Sequence, residues 1–340
     1  MRVTRETLIR IAKETVQERV YNDRYIIAAY LFGSLLDDNP FLGGLTDIDL
    51  VLVYNDQPPR KREIIPLPAG FHIDITTHAR KEYDPPRSLR TNPWLGCEIY
   101  APQLLFEREH FFEFVQAGVR AGFEFEEPIN VLKRCRSLLS HGRQIWMDLE
   151  FIAGEPGPQE IAKYIKSLLH AVNAVAELNG NPLAERRLLL DFPARAQTAG
   201  VPGLATGLLG LLGAPHTDAT SLSNLLPAWS ADFVAAGKHP DADVRLHPAR
   251  HDYYYKAFEA MLESGNATAL LWPLLQTWTL AACTLPPDQR NNWQQACRSL
   301  GLLESDFKER IAGLDHYLDQ IEELLEEKAA ANGLNIEETI

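Results

Sequence analysis

Two aspartates open an otherwise apolar segment, and this feature constrains the fold more than any other in the chain. The segment reads Asp47-Ile-Asp-Leu-Val-Leu-Val53. Because alternate residues of a β-strand project from the same face, Asp47 and Asp49 point together while Ile48 and Leu50 point into the core. A nearly continuous apolar run is typical of a strand covered on both faces. Two carboxylates held this close favour a cation between them, and Mg²⁺ prefers such hard oxygen ligands.

A third carboxylate follows on another patterned strand. The segment Phe71-His-Ile-Asp-Ile-Thr76 alternates, so Asp74 lies on the face opposite Phe71, Ile73 and Ile75. If this strand lies beside the first, Asp74 shares a metal with the other two aspartates. That arrangement predicts a two-metal site for displacement at phosphorus.

A Gly-Ser pair precedes the aspartates. Ile26–Phe32 is predicted to be an apolar strand that ends in Gly33-Ser34. Glycine lets backbone N–H groups approach a phosphate, and the serine hydroxyl adds a donor. The Gly33-Ser34 pair is informative because it precedes Asp47 and Asp49 in the sequence.

The residue pattern changes near residue 125. The first part mixes short strands with helices, and the later part is dominated by long helical patterns. We predict a catalytic domain over residues 1–124 and a helical bundle domain over residues 125–335. Further predicted elements are a helix over Thr4–Val20, extended structure over Glu98–Phe106, and helices over Ile129–Glu150, Gln159–Asn179, His251–Glu263, Ala267–Thr284 and Phe307–Ala331.

Composition narrows the partners and the location. The net charge of −13 argues against a long nucleic acid, which usually requires a basic surface, and favours a small or cationic acceptor. The basic run Arg60-Lys61-Arg62 follows two prolines and is interpreted as a solvated turn. No segment has the roughly 18 apolar residues of a membrane span. The four cysteines form no CxxC pair, so we expect a cytoplasmic protein without a zinc site.

A polar stripe follows one predicted helix of the second domain. Lys163, Lys166, His170 and Asn173 are spaced three, four and three residues apart and therefore share a face. The stripe either faces a nucleotide or is a solvated face opposite the helix core. An Arg136-x4-His141 spacing also occurs in RNase-type helical domains, but it has little specificity. Candidates for a carboxylate base are Glu98, Glu150 and Glu177, and the sequence does not choose among them.

Together the motifs LFGS, TDIDLVLV and HIDI resemble the signature of the DNA polymerase β-like nucleotidyltransferase superfamily. The segment CEIYAPQLLFERE, Cys97 to Glu109, is similar to the one that closes the catalytic domain in bacterial small-molecule members. The spacer after Ser34 is slightly longer than in compact members and is interpreted as a loop insertion containing Gly43-Gly44. The resemblance covers about residues 5 to 120.

This resemblance implies an α+β fold class, with a short mixed β-sheet backed by helices and then an all-α domain, as in aminoglycoside nucleotidyltransferases. It implies two Mg²⁺ ions, a nucleoside triphosphate donor, expected to be ATP, and a small-molecule acceptor. Asp47, Asp49 and Asp74 would be the catalytic metal ligands. Gly33, Ser34, Lys163 and Lys166 would bind the nucleotide.

Two alternatives stay open. The first is a protein adenylyltransferase of the antitoxin type, although the long helical domain argues against it. The second is a catalytically silent nucleotide-binding protein of the same fold, although the intact carboxylates at 47, 49 and 74 argue against it. The acceptor, the base and the oligomeric state are not determined by the sequence.

Overall fold

The structure is a computed structural model that describes residues 3–123, 127–152 and 154–335. The chain divides into two compact units, Met1–Glu127 and Pro128–Ile340. The boundary predicted between residues 124 and 125 lies outside the described residues. The first unit contains a mixed β-sheet with helices and the second is helical, so the predicted α+β class is confirmed.

A five-stranded sheet forms the centre of the first unit, with strand order β3-β4-β2-β1-β5. Strands β2 and β4 run parallel, and the other neighbouring pairs are antiparallel. The central position of β2 covers both of its faces, which explains its nearly continuous apolar sequence. The strands are β1 (Ile26–Phe32), β2 (Ile48–Tyr54), β3 (Arg62–Pro66), β4 (His72–Ala79) and β5 (Gln103–Glu107).

Helices pack on both faces of this sheet. Helix α1 (Arg5–Asn22) buries Leu8, Ala12 and Val16, which are four residues apart and so share one face. They pack in a core cluster with alternate residues of β2 and β4, including Ile48 and Ile73. On the other face, Tyr30, Val51 and Val53 pack with α2 (Leu95–Tyr100) and α3 (Phe111–Arg120).

The extended structure predicted over Glu98–Phe106 is wrong for its first half. Residues Leu95–Tyr100 are helical, and β5 begins only at Gln103. The side chain of Asn92 accepts hydrogen bonds from the backbone N–H groups of Trp94 and Leu95, at 3.0 and 2.9 Å. These bonds form a turn that leads into a short helix, which the alternation of apolar residues did not predict.

Within its described residues the second unit is built from helices. The longest are α4 (Pro128–Glu150), α5 (Pro158–Ala176) and α12 (Asp306–Ala331), and they pack on one another. No described helix of the chain has both the length and the apolar character needed to cross a membrane. The others are α6 (Leu188–Ala199), α7 (Gly203–Leu211), α8 (Ala219–Ala236), α9 (His251–Glu263), α10 (Leu271–Thr284) and α11 (Asn291–Ser299).

Candidate active site

A glycine at the end of β1 lies directly against one of the predicted aspartates. Gly33 has φ +78°, a conformation that side-chain-bearing residues rarely adopt. A Cβ atom added to Gly33 would lie 2.3 Å from Oδ2 of Asp49. The backbone therefore approaches the carboxylate more closely than any side chain permits. Ser34 begins a short 3₁₀ turn, and its hydroxyl is 3.0 Å from that of the buried Thr46.

The strand register brings the predicted carboxylates together. Strands β2 and β4 are parallel, and Asp49 is the direct partner of Asp74. Both lie on the sheet face opposite α1, because their neighbours Ile48 and Ile73 belong to the α1 side. Asp47 precedes β2 by one residue, and its Oδ2 is 3.9 Å from Nε2 of the fully buried His72. The first positions of two adjacent strands thus carry three aspartates and a histidine.

An arginine that the sequence placed in a solvated turn contacts this cluster. Arg62 is the first residue of β3, and its guanidinium donates to both carboxylate oxygens of Asp74, at 2.7 and 2.6 Å. The interpretation of Arg60-Lys61-Arg62 as a turn is therefore wrong at its last residue. A paired, bidentate geometry is the strong form of an arginine–carboxylate contact. Asp74 is 2% exposed, so the guanidinium compensates a carboxylate removed from water.

The carboxylates of this cluster are oxygen donors of the kind that a magnesium ion prefers. Asp47 and Asp49 offer carboxylates two residues apart, and Asp47 is only 3% exposed. Hard oxygen ligands at the end of a sheet, beside an open glycine backbone, are the kind of donors that Mg²⁺ shares with phosphates. At Asp74 a positive charge is already supplied by Arg62. The expectation of two ions stays a prediction.

A half-buried glutamate belongs to a helix on the same face of the sheet. Glu98 is carried by α2, and burial raises the pKa of its carboxyl group to about 8. Burial raises the pKa values of Tyr30 and Tyr83, which form a hydrogen-bonded pair, and the charge of Glu98 adds to this effect. The two hydroxyls are 3.0 Å apart, and that of Tyr83 is 2.8 Å from Nδ1 of His78.

The other two base candidates have different surroundings. Glu177 is fully buried in the second unit, where its Oε2 lies 3.3 Å from Nε of Arg134. Glu150 is the exposed last residue of α4. Of the three glutamates, Glu98 alone shares a unit and a sheet face with Asp49.

Lys163 and Lys166 lie on α5 in the second unit, and both are exposed. His170 lies on the same helix but is buried, and its ring is 5.5 Å from that of His141. Burial lowers the pKa of His170 to about 4, and His141 and Lys166 add to this effect. The two lysines are thus available to an anion, whereas His170 belongs to the packing between α4 and α5. Nucleotide binding by the lysines stays a prediction.

Comparisons with known proteins give a distant likeness. No protein-family model matches the chain, and no curated protein matches it. Among solved structures, the chain is similar to a nucleotidyltransferase-like protein from Exiguobacterium sibiricum 255-15 at 12% identity and a TM-score of 0.28. That match covers 93% of this chain and 91% of the other. A likeness at this TM-score carries no functional argument, so the function proposed below rests on the residues themselves.

Sequence reasoning missed two residues that shape the site. Arg62 was hidden by its charged neighbours and by Pro58-Pro59, and the short β-branched pair Ile64-Ile65 before Pro66 is only a weak signal for an edge strand. Thr46 was missed because a threonine in a loop carries no pattern. Its complete burial next to Ser34 emerges only from the folded loop.

Proposed function

We propose that this chain is a magnesium-dependent nucleotidyltransferase that transfers a nucleoside monophosphate to a hydroxyl of a small molecule and releases pyrophosphate. The observation that carries the proposal is the in-register pair of Asp49 and Asp74 on adjacent parallel strands, with the backbone of Gly33 against Asp49. A carboxylate cluster beside a glycine turn combines metal ligands with a place for phosphates.

Each residue has a separate role in this proposal. Asp47 and Asp49 would hold the metal, which supplies charge for the phosphates and the attacking oxygen. The backbone of Gly33 and the hydroxyl of Ser34 bind a phosphate oxygen of the donor. Thr46 fixes the orientation of the Ser34 hydroxyl through their 3.0 Å contact. Asp74 is held in place by Arg62, and this contact keeps its carboxylate aligned beside Asp49.

We propose Glu98 as the proton acceptor for the hydroxyl of the acceptor. A general base works best when its pKa is near the operating pH, and the pKa of Glu98 is raised to about 8 by burial. Helix α2, which carries Glu98, packs on the sheet face that also carries Asp49 and Asp74.

The test is pyrophosphate release from ATP, CTP, GTP and UTP, measured with and without Mg²⁺ against a panel of hydroxyl-bearing acceptors. We expect release with at least one donor, dependent on both Mg²⁺ and an acceptor. Mass spectrometry of the acceptor then shows an added nucleoside monophosphate. If no combination of nucleotide and acceptor releases pyrophosphate, hydroxyl-bearing small molecules are rejected as acceptors.

One observation favours a second function, a catalytically silent nucleotide-binding protein. The bidentate contact of Arg62 occupies both oxygens of Asp74, and such an ion pair competes with metal ligation there. Calorimetric titration with a nonhydrolysable triphosphate separates the two functions. Magnesium-dependent binding without turnover on any acceptor supports the silent protein, whereas binding with turnover supports the enzyme.

A further inference from the structure

A cavity lies at one end of the strands of the sheet, and the aspartates lie at the other end. Strand β1 begins at the cavity end, and β2, β4 and β5 end there. The cavity has a volume of about 420 Å³. It is separated from the aspartates by the length of a seven-residue strand, about 20 Å. Its lining includes three arginines and three aromatic residues: Arg24, Arg80, Arg108, Tyr25, Phe111 and Phe114.

Two of the arginines are fixed by contacts that leave part of each guanidinium for another partner. Arg108 donates its Nε to the carbonyl of Ile26 at 3.0 Å. Arg80 donates its Nη1 to Asn55 at 3.3 Å and lies over the ring of Phe111, 5.2 Å from its centroid. Fixed donors lose less entropy when they bind an anion.

Acidic side chains do not neutralise this arginine cluster. Within the described ranges of the chain, Arg24, Arg80 and Arg108 form no ion pair with a carboxylate. Glu109 does line the cavity, so its lining is not purely basic. In a protein with net charge −13, three adjacent arginines without carboxylate partners form a local positive field that attracts anions.

Nearby carboxylates are engaged elsewhere. Glu107 accepts hydrogen bonds from the backbone N–H groups of Phe112 and Glu113, at 3.0 and 3.1 Å. Glu113 pairs with His110 at 2.7 Å. These three ionisable side chains lie close enough to hold a metal, but the contacts also describe an ordinary helix cap. Glu107 and Glu113 are thus held by the backbone of α3 and by His110, and in the described part of the chain neither forms an ion pair with the three arginines.

Exposed aromatic rings rim the same cavity. Phe114 is 71% exposed and Tyr25 is 67% exposed, which is a large apolar area for side chains on one surface. Phe111 presents its ring beneath Arg80. Next to it, Glu109 and His110 both have positive φ, at 54° and 55°. Such backbone strain in residues other than glycine is concentrated at binding sites.

We propose that this cavity binds a small phosphorylated molecule that carries a flat ring, of the class of nucleoside monophosphates. The arginines bind the phosphate, and the rings of Tyr25 and Phe114 stack on the base. Its volume is within the range of small-ligand sites, about 300–1,000 Å³. This binding site is separate from the activity proposed at Asp49, because the two sites lie at opposite ends of the strands.

The test is isothermal titration calorimetry of the full chain with AMP and with inorganic phosphate, in EDTA so that metal-dependent binding is suppressed. We expect AMP to bind more tightly than phosphate. Arg80→Ala and Arg24→Ala weaken both ligands, each by about tenfold or more. Phe114→Ala weakens AMP by about threefold or more and leaves phosphate unchanged.

Two variants serve as controls. Arg87→Ala removes an exposed arginine outside the cavity, and Asp49→Asn alters the aspartate site, so both retain wild-type AMP binding. If Arg80→Ala does not fold, Arg24→Ala decides, because an exposed side chain tolerates truncation.

Four results would overturn the proposal. The first is no binding of AMP or phosphate at millimolar concentration, and the second is binding that the arginine variants do not change. The third is an oligothymidylate that binds more tightly than AMP at equal nucleotide concentration, which would make the surface a single-strand site. Loss of AMP binding in Asp49→Asn would place the ligand at the aspartates instead. Pyrophosphate release remains a separate readout of the proposed activity.

Discussion

Gly33 determines how closely the backbone approaches Asp49, and this contact is testable with one methyl group. We expect Gly33→Ala to lose most activity, because the added Cβ would lie 2.3 Å from the Asp49 carboxylate. The positive φ adds strain of about 1–3 kcal/mol. Thermal unfolding and pyrophosphate release of the same preparation measure the two effects separately.

Gly44→Ala is the matched control for that substitution. Gly44 has φ +77°, close to that of Gly33, but an added Cβ would meet no atom within 4 Å. The control therefore carries the backbone strain without the clash. Equal activity losses in the two variants would contradict a specific contact between Gly33 and Asp49.

Arg62 compensates the charge of a buried carboxylate, so its loss should be felt most when no other cation is present. We expect Arg62→Ala to lower the free energy of unfolding by about 2 kcal/mol in EDTA, because the buried carboxylate of Asp74 loses the charge of this guanidinium. Added Mg²⁺ should reduce the deficit. Urea unfolding with and without Mg²⁺ measures it.

The control for Arg62 is a neighbouring arginine in a surface ion pair. Arg60 is 61% exposed on its side chain and lies 3.3 Å from Glu63, so Arg60→Ala should change stability by less than about 1 kcal/mol. If Arg62→Ala is no more destabilising than Arg60→Ala, the contact with Asp74 is not structurally important.

The aspartates were predictable from sequence at this scale, whereas their partners were not. Asp47, Asp49 and Asp74 stand among the apolar residues of predicted strands, and a carboxylate at such a position is costly to bury. Arg62 and Thr46 contribute through contacts with residues 12 positions away, Asp74 and Ser34 respectively. A distance of that kind depends on strand pairing and loop closure, which periodicity does not encode.

At the scale of single elements, α2 places Glu98 where deprotonation costs stability. The pKa rises from the ordinary 4.5 to about 8 in the folded protein, because burial disfavours the charged form. The wild-type free energy of unfolding therefore falls as the pH rises from about 4.5 through 8. Glu98→Gln lacks this loss, so we expect it to be more stable than wild type by about 1 kcal/mol or more at pH 8.5.

Urea unfolding at pH 5 and pH 8.5 tests the sign of this effect. The stability of Glu98→Gln relative to wild type should increase between the two values. Glu323→Gln, which alters an exposed glutamate on α12, is the control and should show no such increase. A difference that shrinks with rising pH would contradict a buried, protonated Glu98.

Helix α5 carries the lysines that were predicted to hold the triphosphate. Both are exposed, so we expect Lys163→Ala and Lys166→Ala to change stability by no more than about 0.5 kcal/mol. Each should weaken triphosphate binding several-fold if the face meets the donor. Lys308→Ala on α12 is a matched exposed control. If the two lysine variants bind the triphosphate as tightly as Lys308→Ala does, Lys163 and Lys166 do not belong to the nucleotide site.

The central strands with continuous apolar patterns were predicted closely, whereas the edge strand β3 and two proline-containing helices were missed. The bounds of β1 match the predicted Ile26–Phe32, and β2 (Ile48–Tyr54) coincides with the apolar segment that follows Asp47, because buried central strands have nearly unbroken apolar sequences. Strand β3 was missed because an edge strand begins and ends in polar residues or proline. Helices α6 and α8 were also missed, since each contains an internal proline that reads as a helix end.

For the molecule as a whole, the class of fold was predictable because its two units differ in periodicity. Strand patterns dominate before Pro128 and helical patterns after it. The arginine-lined cavity was not predictable, since Arg24, Arg80 and Arg108 are scattered in sequence and meet only where several strands begin or end at one edge. Global charge gave the opposite impression, because the net value of −13 conceals a local basic cluster.

The central claim is that the carboxylates beside Gly33 catalyse nucleotidyl transfer, and Asp49→Asn tests it most directly. The measurement is the rate of magnesium-dependent pyrophosphate release by wild type and variant, with the donor and acceptor found in the panel. We predict a loss of about 10²–10³ or more, since one charge is removed from the metal site, with the fold intact by circular dichroism. A variant that turns over at the wild-type rate would contradict the account.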